Sequence, residues 1–412
     1  MSLPAGSAMP IRAPWPPSAS DATEWLAHEH RVRRGRRAWR GILIGLLALL
    51  MVASGLVVLG SETSSTGVAG FLIGVSLAVL PLPIVIGGLR WVDRYEPEPK
   101  ALLAFAFFWG ATVAALIAAT LNTASAIIVA RTSDAGQGMA TTAVLVAPWV
   151  EEAAKGAAVL AIFLFRRKEF DGIVDGIVLA GFVGVGFAFT ENILYFGRAF
   201  LAGNEQLGVT GGLFAAGTTF VLRGVLAPFA HPLFTTMTGI GLGIAAREGP
   251  GRNGRARWLA PIGGYLLAVA LHATWNYASL SGLHGFFVGY VLIMLPAFLL
   301  TLGVATWSRR REGATIATWL PLYVQSGWLV ADDVAMLASM PRRRQALAWA
   351  ERTYGGASSR ALHDFALAGT ELAFLRERAE RGHPLDDFVA RERQLLAELS
   401  RSRAAVSSPA RA

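Results

Sequence analysis

The stretch ALLAFAFFWGATVAALIAATLNTASAIIVA, residues 101–130, decides the fold class, because it is a long run without a single charged side chain. A transmembrane helix needs about 20 predominantly apolar residues. Similar runs recur between about residues 40 and 308, and over the whole chain 54% of the residues are hydrophobic and only 16% are charged. That composition is too apolar for an ordinary soluble domain. The sequence therefore predicts an all-α, polytopic membrane helical bundle.

We expect about eight transmembrane helices. The run 101–130 is long for one crossing, so that helix is expected to tilt or to end early. The apolar stretch 213–226 carries Arg223, and we place it on the outer side, as an interfacial or re-entrant helix that leads into the sixth span. The expected spans are residues 39–60, 67–90, 101–130, 139–165, 172–197, 227–246, 258–280 and 285–308.

Basic side chains alternate from loop to loop. The basic loops precede the first span and then lie near residues 90–100, 166–168, 247–257 and 309–311. The intervening loops hold little beyond Arg131 and Arg198. By the positive-inside rule, this alternation places both termini in the cytoplasm of a multi-pass protein of the cell membrane. We therefore assign the net charge of +9 to topology in the lipid bilayer and expect no nucleic-acid partner.

The two ends of the chain differ in composition from the membrane region 39–308. Residues 1–38 are rich in Pro, Ser and Arg, which is typical of a disordered basic tail. Residues 309–412 show helical spacing with charged faces, so we expect a cytosolic helical tail with breaks at Gly355-Gly356 and Gly382-His383-Pro384. The absence of cysteine excludes disulfides, iron–sulfur clusters and cysteine nucleophiles.

The few ionisable residues inside the expected spans are the candidate functional residues. Hydrocarbon does not solvate charged groups, so such residues usually face a cavity or one another. They occur in WVEEAAKG (149–156), TENILYF (190–196), FAHPLF (229–234) and LHATWN (271–276). The residues are Glu151, Glu152, Lys155, Glu191, His231 and His272, accompanied by Asn192, Tyr195 and Asn276.

Two pairings are open to Lys155. An ion pair with Glu151, at i, i+4 with the acid N-terminal to the base, would leave Glu152 free to act as a general base. A pair with Glu152, at i, i+3, would free Glu151 instead. A buried Glu–Lys pair could also serve only to lock two helices together.

The two histidines have both structural and chemical interpretations. His272 and Asn276 are one helical turn apart and project from one face of their helix. An imidazole can bind a metal or move a proton, and an amide can donate a hydrogen bond to an oxyanion, but both could equally be satisfied packing residues. His231 lies beside Pro232, and a lone histidine there is more often structural than catalytic.

Taken together, these residues suit the activation of a water molecule inside a membrane cavity. A water nucleophile, a general base and oxyanion donors are what amide hydrolysis requires. The alternative function is a proton-coupled membrane transporter in which the Glu, Lys and His residues form a relay. Transporters often show two similar halves, whereas this sequence shows no convincing internal repeat. A catalytically silent protein that binds membrane proteins is a third possibility.

Four ordered motifs resemble the PrsW family of intramembrane proteases. Between about residues 70 and 300 the chain carries, in order, EEAAK, FDGIVDGIVLAGFVGVGFAFTENILYF, HPLFTTMTG and LHATWN. The stretch DRYEPEPK also resembles that family's acidic, proline-containing loop, and the CAAX prenyl endopeptidases are more distantly similar. The resemblance implies a transmembrane protease domain over 39–308. Its substrates would be membrane proteins, expected to be single-span and to include anti-sigma factors.

The resemblance also implies roles for individual residues. Carried over by position, the catalytic residues would be Glu151, Glu152, Glu191, His231, His272 and Asn276, supported by Lys155, Asn192 and Tyr195. The family is often called a metalloprotease, and His231 and His272 would be the metal ligands if zinc is the cofactor. The motif HExxH is absent, so we favour a metal-independent mechanism in which a glutamate activates water. Counting 1.5 Å per residue from the span ends to these residues gives a common depth in the outer half of the membrane. We therefore expect cleavage there.

Overall fold

The computed structural model describes residues 19–131, 135–167, 169–248, 254–382 and 387–407, and within these ranges the regular structure is helical throughout. By its contacts the chain divides into two units, residues 1–53 and residues 54–412. Residues 1–18 of the expected N-terminal tail, and His383 and Pro384 of the expected tail break, lie outside the described residues.

The membrane region is built from eleven α-helices in the described part of the chain. They are α1 Ala19–Val79, α2 Leu82–Val92, α3 Lys100–Phe108, α4 Ala115–Ala130, α5 Ala135–Thr141, α6 Ala147–Phe165, α7 Ile173–Phe220, α8 Ala230–Arg247, α9 Gly254–Leu280, α10 Gly282–Gly289 and α11 Leu295–Trp319. Four π-helical segments adjoin them, at Trp109–Ala114, Thr142–Val146, Val221–Leu226 and Tyr290–Met294.

Five helical segments of the described chain, some of them composed of more than one helix, are long and apolar enough to cross a membrane. They are Gly41–Val92, Lys100–Ala130, Ile173–Arg247, Gly254–Leu280 and Gly282–Gln325. The first has 52 residues and the third has 75, whereas a crossing needs about 20. The helical stretch of α5 and α6 is not among the five, and it is the one that carries Glu151, Glu152 and Lys155. The multi-pass helical membrane architecture is thus as expected, although these five segments do not correspond one to one with the eight expected spans.

The start of the chain is more helical than its sequence predicts. Residues 19–38, expected to be disordered, belong to α1, because Ala, Glu and Arg are good helix formers and the stretch is continuous with an apolar helix. The polar residues 61–66, expected to separate two spans, are helical as well. Their hydroxyl groups donate back to carbonyls four residues earlier, as Thr63 does to Leu59 at 2.8 Å. Two helices meet within α1 at Gly67, whose φ of +67° is not helical, so the chain is interrupted at the position where the second span was expected to begin.

Helices α7 and α8 form the centre of the unit 54–412, and close glycine contacts set their separation. A methyl group built on Gly176 would lie 2.1 Å from the carbonyl oxygen of Gly239. One built on Gly184 would lie 2.7 Å from the carbonyl oxygen of His231. Small residues let membrane helices approach this closely, so GFVGVGF in α7 brings the His231 backbone against the helix that carries Glu191.

Helix α7 extends beyond the expected fifth span. It continues to Phe220 across a break at Leu207 and Gly208. The stretch 213–226, expected to form an outer interfacial or re-entrant helix, comprises the end of α7 and the π-helical segment Val221–Leu226. This segment places Arg223 before the start of α8.

The C-terminal tail forms a helical module with its own apolar core. Its helices are α12 Pro321–Gln325, α13 Ala331–Leu337, α14 Met340–Tyr354, α15 Gly356–Glu380 and α16 Phe388–Ser407. The module packs on the loop between α2 and α3, since the Tyr95 hydroxyl donates to the carbonyl of Ala338 at 2.9 Å. Buried Arg343 donates to the carbonyls of Leu337 and Tyr95 and to the hydroxyl of Thr370. The tail is therefore docked onto the membrane region.

Candidate active site

Four helices bring ionisable side chains into one cluster. Helix α6 contributes Glu151, Glu152 and Lys155, α7 contributes Glu191, α8 contributes His231 and α9 contributes His272. All but Glu191 are buried, and the Glu191 side chain is 21% exposed. The contacts below link these groups, so the ionisable residues of the expected spans face one another in the protein interior and not the lipid.

Lys155 pairs with Glu152. Its Nζ lies 2.5 Å from Glu152 Oε1, and both side chains have no exposed surface. The pairing is therefore i, i+3, the alternative that frees Glu151. The ammonium also lies 3.3 Å from His231 Nδ1 and 4.2 Å from the centre of the Phe187 ring. Lys155 thus connects α6 with α7 and α8.

Glu152 also contacts His272. The same Oε1 lies 2.9 Å from His272 Nδ1, and the Thr235 hydroxyl donates to Oε2 at 3.1 Å. An ionised carboxylate only accepts hydrogen bonds, so this contact places the proton of neutral His272 on Nδ1. The lone pair of His272 is then on Nε2.

Glu191 contacts His231 in the same way as Glu152 contacts His272. Its Oε2 lies 2.6 Å from His231 Nε2 and accepts a hydrogen bond from Arg223 Nη2 at 2.6 Å. By the same argument, the proton of neutral His231 is on Nε2 and its lone pair is on Nδ1. Each histidine therefore has a carboxylate that fixes its tautomer.

Glu151 is the carboxylate with unused capacity. Its Oε1 accepts a hydrogen bond from Asn122 Nδ2 on α4 at 3.0 Å. Its Oε2 is buried without a hydrogen-bond partner among the described residues and lies 3.6 Å from His272 Nε2. A buried carboxylate oxygen left without a partner is costly, so this atom marks a position where another group would be stabilised.

Glu151, His231 and His272 could together hold a metal ion. One ligand atom from each of the three residues lies within 4.8 Å of the other two. Two histidines and one carboxylate form the protein part of many catalytic zinc sites, which keep a fourth position open for water. Carboxylates behind the histidines are typical of such sites, and Glu191 and Glu152 occupy that position here. The donor set and the unpartnered oxygen therefore fit a divalent metal.

A family model described as PrsW family intramembrane metalloprotease matches residues 98–301 of this chain. The match covers all four helices that build the cluster. The chain belongs to the PrsW family. The prediction of an intramembrane protease is therefore confirmed, and it is preferred over the transporter alternative.

Three curated relatives, each named Protease PrsW, are similar to this PrsW-family protein. The one from Clostridioides difficile is 26% identical over 201 residues, which is 49% of this chain and 76% of the relative. The one from Oceanobacillus iheyensis is 30% identical over 148 residues, which is 36% of this chain and 57% of the relative. The one from Geobacillus kaustophilus is 26% identical over 222 residues, which is 54% of this chain and 86% of the relative. No solved structure matches the chain.

The remaining residues expected at the site of this PrsW-family protease lie around the cluster. Asn192 Oδ1 accepts a hydrogen bond from Arg223 Nε at 3.0 Å, and the Tyr195 ring centre lies 3.8 Å from the Arg223 guanidinium carbon. Asn276 Nδ2 donates to the carbonyl of Ala143 at 2.8 Å. The Asn276 amide is thus used to tie α9 to the π-helical segment before α6.

Three polar residues at the site were not among the expected site residues. Asn122 holds Glu151, Thr235 holds Glu152, and Arg223 holds Glu191. Each is a polar residue inside an apolar stretch, which is a signal that the sequence carries. Their partners lie 29, 83 and 32 positions away in sequence, so the sequence signal does not say which glutamate each one contacts.

Proposed function

We propose that the protein hydrolyses peptide bonds of membrane proteins with a zinc ion held by Glu151, His231 and His272. The observation that supports this most strongly is the buried Oε2 of Glu151, which has no hydrogen-bond partner in the part of the chain that the structure describes and lies 3.6 Å from His272 Nε2. Zinc at this position would polarise the scissile carbonyl and activate a water molecule.

The other residues of the cluster orient the ligands in this proposal. Glu152 and Glu191 hold His272 and His231 in tautomers that present a lone pair, and such outer carboxylates also raise the basicity of a histidine ligand. Lys155 compensates the charge of Glu152. Asn122 fixes one oxygen of Glu151, and the second oxygen has no hydrogen-bond partner within the described ranges.

The metal-independent mechanism has one observation in its favour. The Lys155 ammonium lies 3.3 Å from His231 Nδ1. This nitrogen carries the lone pair that would bind the zinc ion. A cation of the protein itself thus stands close to the proposed zinc position. In that mechanism Glu151, freed from Lys155, would be the base that accepts a proton from water. The family description as a metalloprotease favours zinc.

Metal analysis and cleavage assays separate the two mechanisms. The purified protein in detergent is analysed for bound metal by mass spectrometry, and cleavage of a single-span substrate in proteoliposomes is followed before and after treatment with a strong chelator. We expect about one equivalent of zinc in the unmodified protein and none in the Glu151→Gln variant. We also expect chelation to abolish the cleavage activity and added zinc to restore it. Full activity after complete removal of the metal would refute the zinc mechanism and favour Glu151 as a metal-independent base.

The proposed topology has eight crossings with both termini in the cytoplasm. The segment Gly41–Val92 has a kink at Gly67 and is long enough for two crossings. The segment Ile173–Arg247 is interrupted at Leu207 and Gly208 and again at the start of α8, so it can also cross twice. Together with α3–α4, α5–α6, α9 and α10–α11, these make eight. The basic loops then lie on the same side as the helical tail.

This topology places the site in the outer half of the membrane. The cytoplasmic helix ends would be Phe165 of α6, Ile173 of α7, Arg247 of α8 and Gly254 of α9. Counting from these ends to Glu151, Glu191, His231 and His272 gives roughly 21–27 Å at 1.5 Å per residue, in a core about 30 Å thick.

The substrates that fit this depth are single-span membrane proteins cut near the outer face, and anti-sigma factors are the class that we propose. Because the ligands are buried, a substrate needs an opening, and the apolar stretch 213–226 is the proposed gate. Mapping the cut by mass spectrometry tests the placement, since a cut at the cytoplasmic end of the substrate helix would show that the topology is inverted.

A further inference from the structure

Arg223 is a half-buried charge that the proposed zinc mechanism does not use directly. It lies on the π-helical segment Val221–Leu226, between α7 and α8, and its side chain is 15% exposed. A charged residue inside an apolar stretch is costly unless it is paired. Its contacts therefore indicate why the chain carries an arginine there.

The guanidinium is held from three sides by one helix. Nη2 donates to Glu191 Oε2 at 2.6 Å, and Nε donates to Asn192 Oδ1 at 3.0 Å. The Tyr195 ring, one turn later on α7, lies 3.8 Å from its central carbon. Two separate nitrogen donors and a stacked ring define both the position and the plane of the group.

Glu191 Oε2 is shared between Arg223 and His231. The same oxygen that accepts from the guanidinium lies 2.6 Å from His231 Nε2. The place of this oxygen decides which ring nitrogen of His231 is protonated and how the ring is turned. Arg223 is thus one contact removed from a proposed zinc ligand.

We infer that Arg223 is a positioning residue, which holds the Glu191 carboxylate where it orients His231 and so connects the outer segment 221–226 to the metal site. The inference rests on the proposed zinc function for its consequence, although the effect on the His231 tautomer does not require zinc. The competing explanation is that Arg223 only fastens segment 221–226 to α7.

Lysine cannot fully replace this arginine. A single ammonium on a flexible stem could reach Glu191 Oε2, but it has neither the planar fork that contacts Glu191 and Asn192 together nor the flat face that stacks on Tyr195. Arg223→Lys should therefore retain part of the effect, whereas Arg223→Gln should lose it. A merely structural tie would not predict that order for metal affinity.

The first experiment measures metal affinity rather than activity. Cobalt or zinc binding to the full-length protein in detergent is followed by competition with a chromogenic chelator. Loss of an outer-shell partner typically lowers metal affinity or activity by about 10–100-fold, and we expect that loss for Arg223→Gln and a smaller one for Arg223→Lys. Arg198→Gln is the matched control, because Arg198 is an exposed arginine further along α7 and should leave the affinity unchanged.

The second experiment reads the His231 ring itself. Nitrogen NMR of protein labelled in histidine distinguishes the two tautomers, and His231→Gln assigns the signal. We expect the signal of metal-free protein to change in Arg223→Gln from protonation at Nε2 to a mixture of tautomers, and to stay nearer to the unmodified protein in Arg223→Lys.

The two experiments separate failure of this inference from failure of the proposed function. If the unmodified protein binds no metal but the His231 signal changes in Arg223→Gln, the zinc proposal is wrong and the positioning role stands. If folded Arg223→Gln keeps both the His231 signal and the metal affinity of the unmodified protein, the positioning role is refuted. Should Arg223→Gln not fold, Arg223→Lys with unchanged affinity and signal refutes it as well.

Discussion

Replacing Lys155 by methionine tests whether its ammonium is the counter-ion of Glu152. Both side chains have no exposed surface, and Nζ lies 2.5 Å from Glu152 Oε1. At an effective dielectric constant of about 20, unit charges at this separation attract each other by roughly 7 kcal/mol. Desolvation of the two ions offsets part of that attraction. Removing one partner of a buried pair costs about 3–5 kcal/mol, so we expect Lys155→Met to lose about that much of the free energy of unfolding.

The loss is measured by unfolding the purified protein from mild-detergent micelles with increasing SDS, followed by circular dichroism. The matched control is the double variant Lys155→Met, Glu152→Gln, which removes both charges of this pair and keeps a carbonyl that can accept a hydrogen bond from His272. Because uncharged replacements of a buried pair are often tolerated, the double variant should recover most of the loss. A loss below about 1 kcal/mol in the single variant, typical of an exposed pair, would refute the reasoning. So would a double variant no more stable than the single one.

Three further outcomes follow from contacts elsewhere. Asn122→Leu removes the donor to Glu151 Oε1 and should lower zinc affinity by about 10–100-fold with the fold retained, as chelator competition would show; unchanged affinity would mean that Asn122 does not position the ligand. Burial raises the pKa of the Glu98 carboxyl from 4.5 to about 10, so the stability that Glu98 contributes is complete below about pH 4.5 and is lost as the pH rises towards 10. Thermal unfolding of Glu98→Gln should therefore vary less between about pH 5 and pH 9 than that of the unmodified protein, and an equal slope would contradict this. Arg343→Met deletes the buried guanidinium that bonds Leu337, Tyr95 and Thr370, so limited proteolysis should release the C-terminal module faster, and an unchanged rate would show that Arg343 does not hold it.

The sequence by itself determined the class of the protein and the identity of most of its polar core. Apolar runs of about 20 residues or more are typical of membrane-spanning helices, which satisfy their own backbone hydrogen bonds where lipid offers no partners. The rarity of ionisable residues in those runs singled out Glu151, Glu152, Lys155, Glu191 and His231, and the order of the motifs indicated the family.

Helix ends were harder to predict, for a physical reason that residues 61–66 illustrate. A run of serine, threonine and glutamate is typical of a loop, but in α1 the hydroxyl groups donate to carbonyls of the preceding turn, so that these residues stay helical up to the kink at Gly67. The hydrogen-bonding groups of these polar side chains find partners within the helix. A hydropathy pattern does not detect such bonds, so it predicts a loop.

Only the tertiary structure decided which partner each charged group takes. At the level of sequence, Lys155 could pair with Glu151 or with Glu152, since both spacings put the side chains on one helix face. His272 on α9 and Thr235 on α8 hold Glu152 in place, while Asn122 on α4 takes Glu151. These contacts join residues far apart in the chain, and a buried charge takes the arrangement in which all its neighbours together compensate it. The local spacing offers the alternatives, and the packing of distant helices selects one of them.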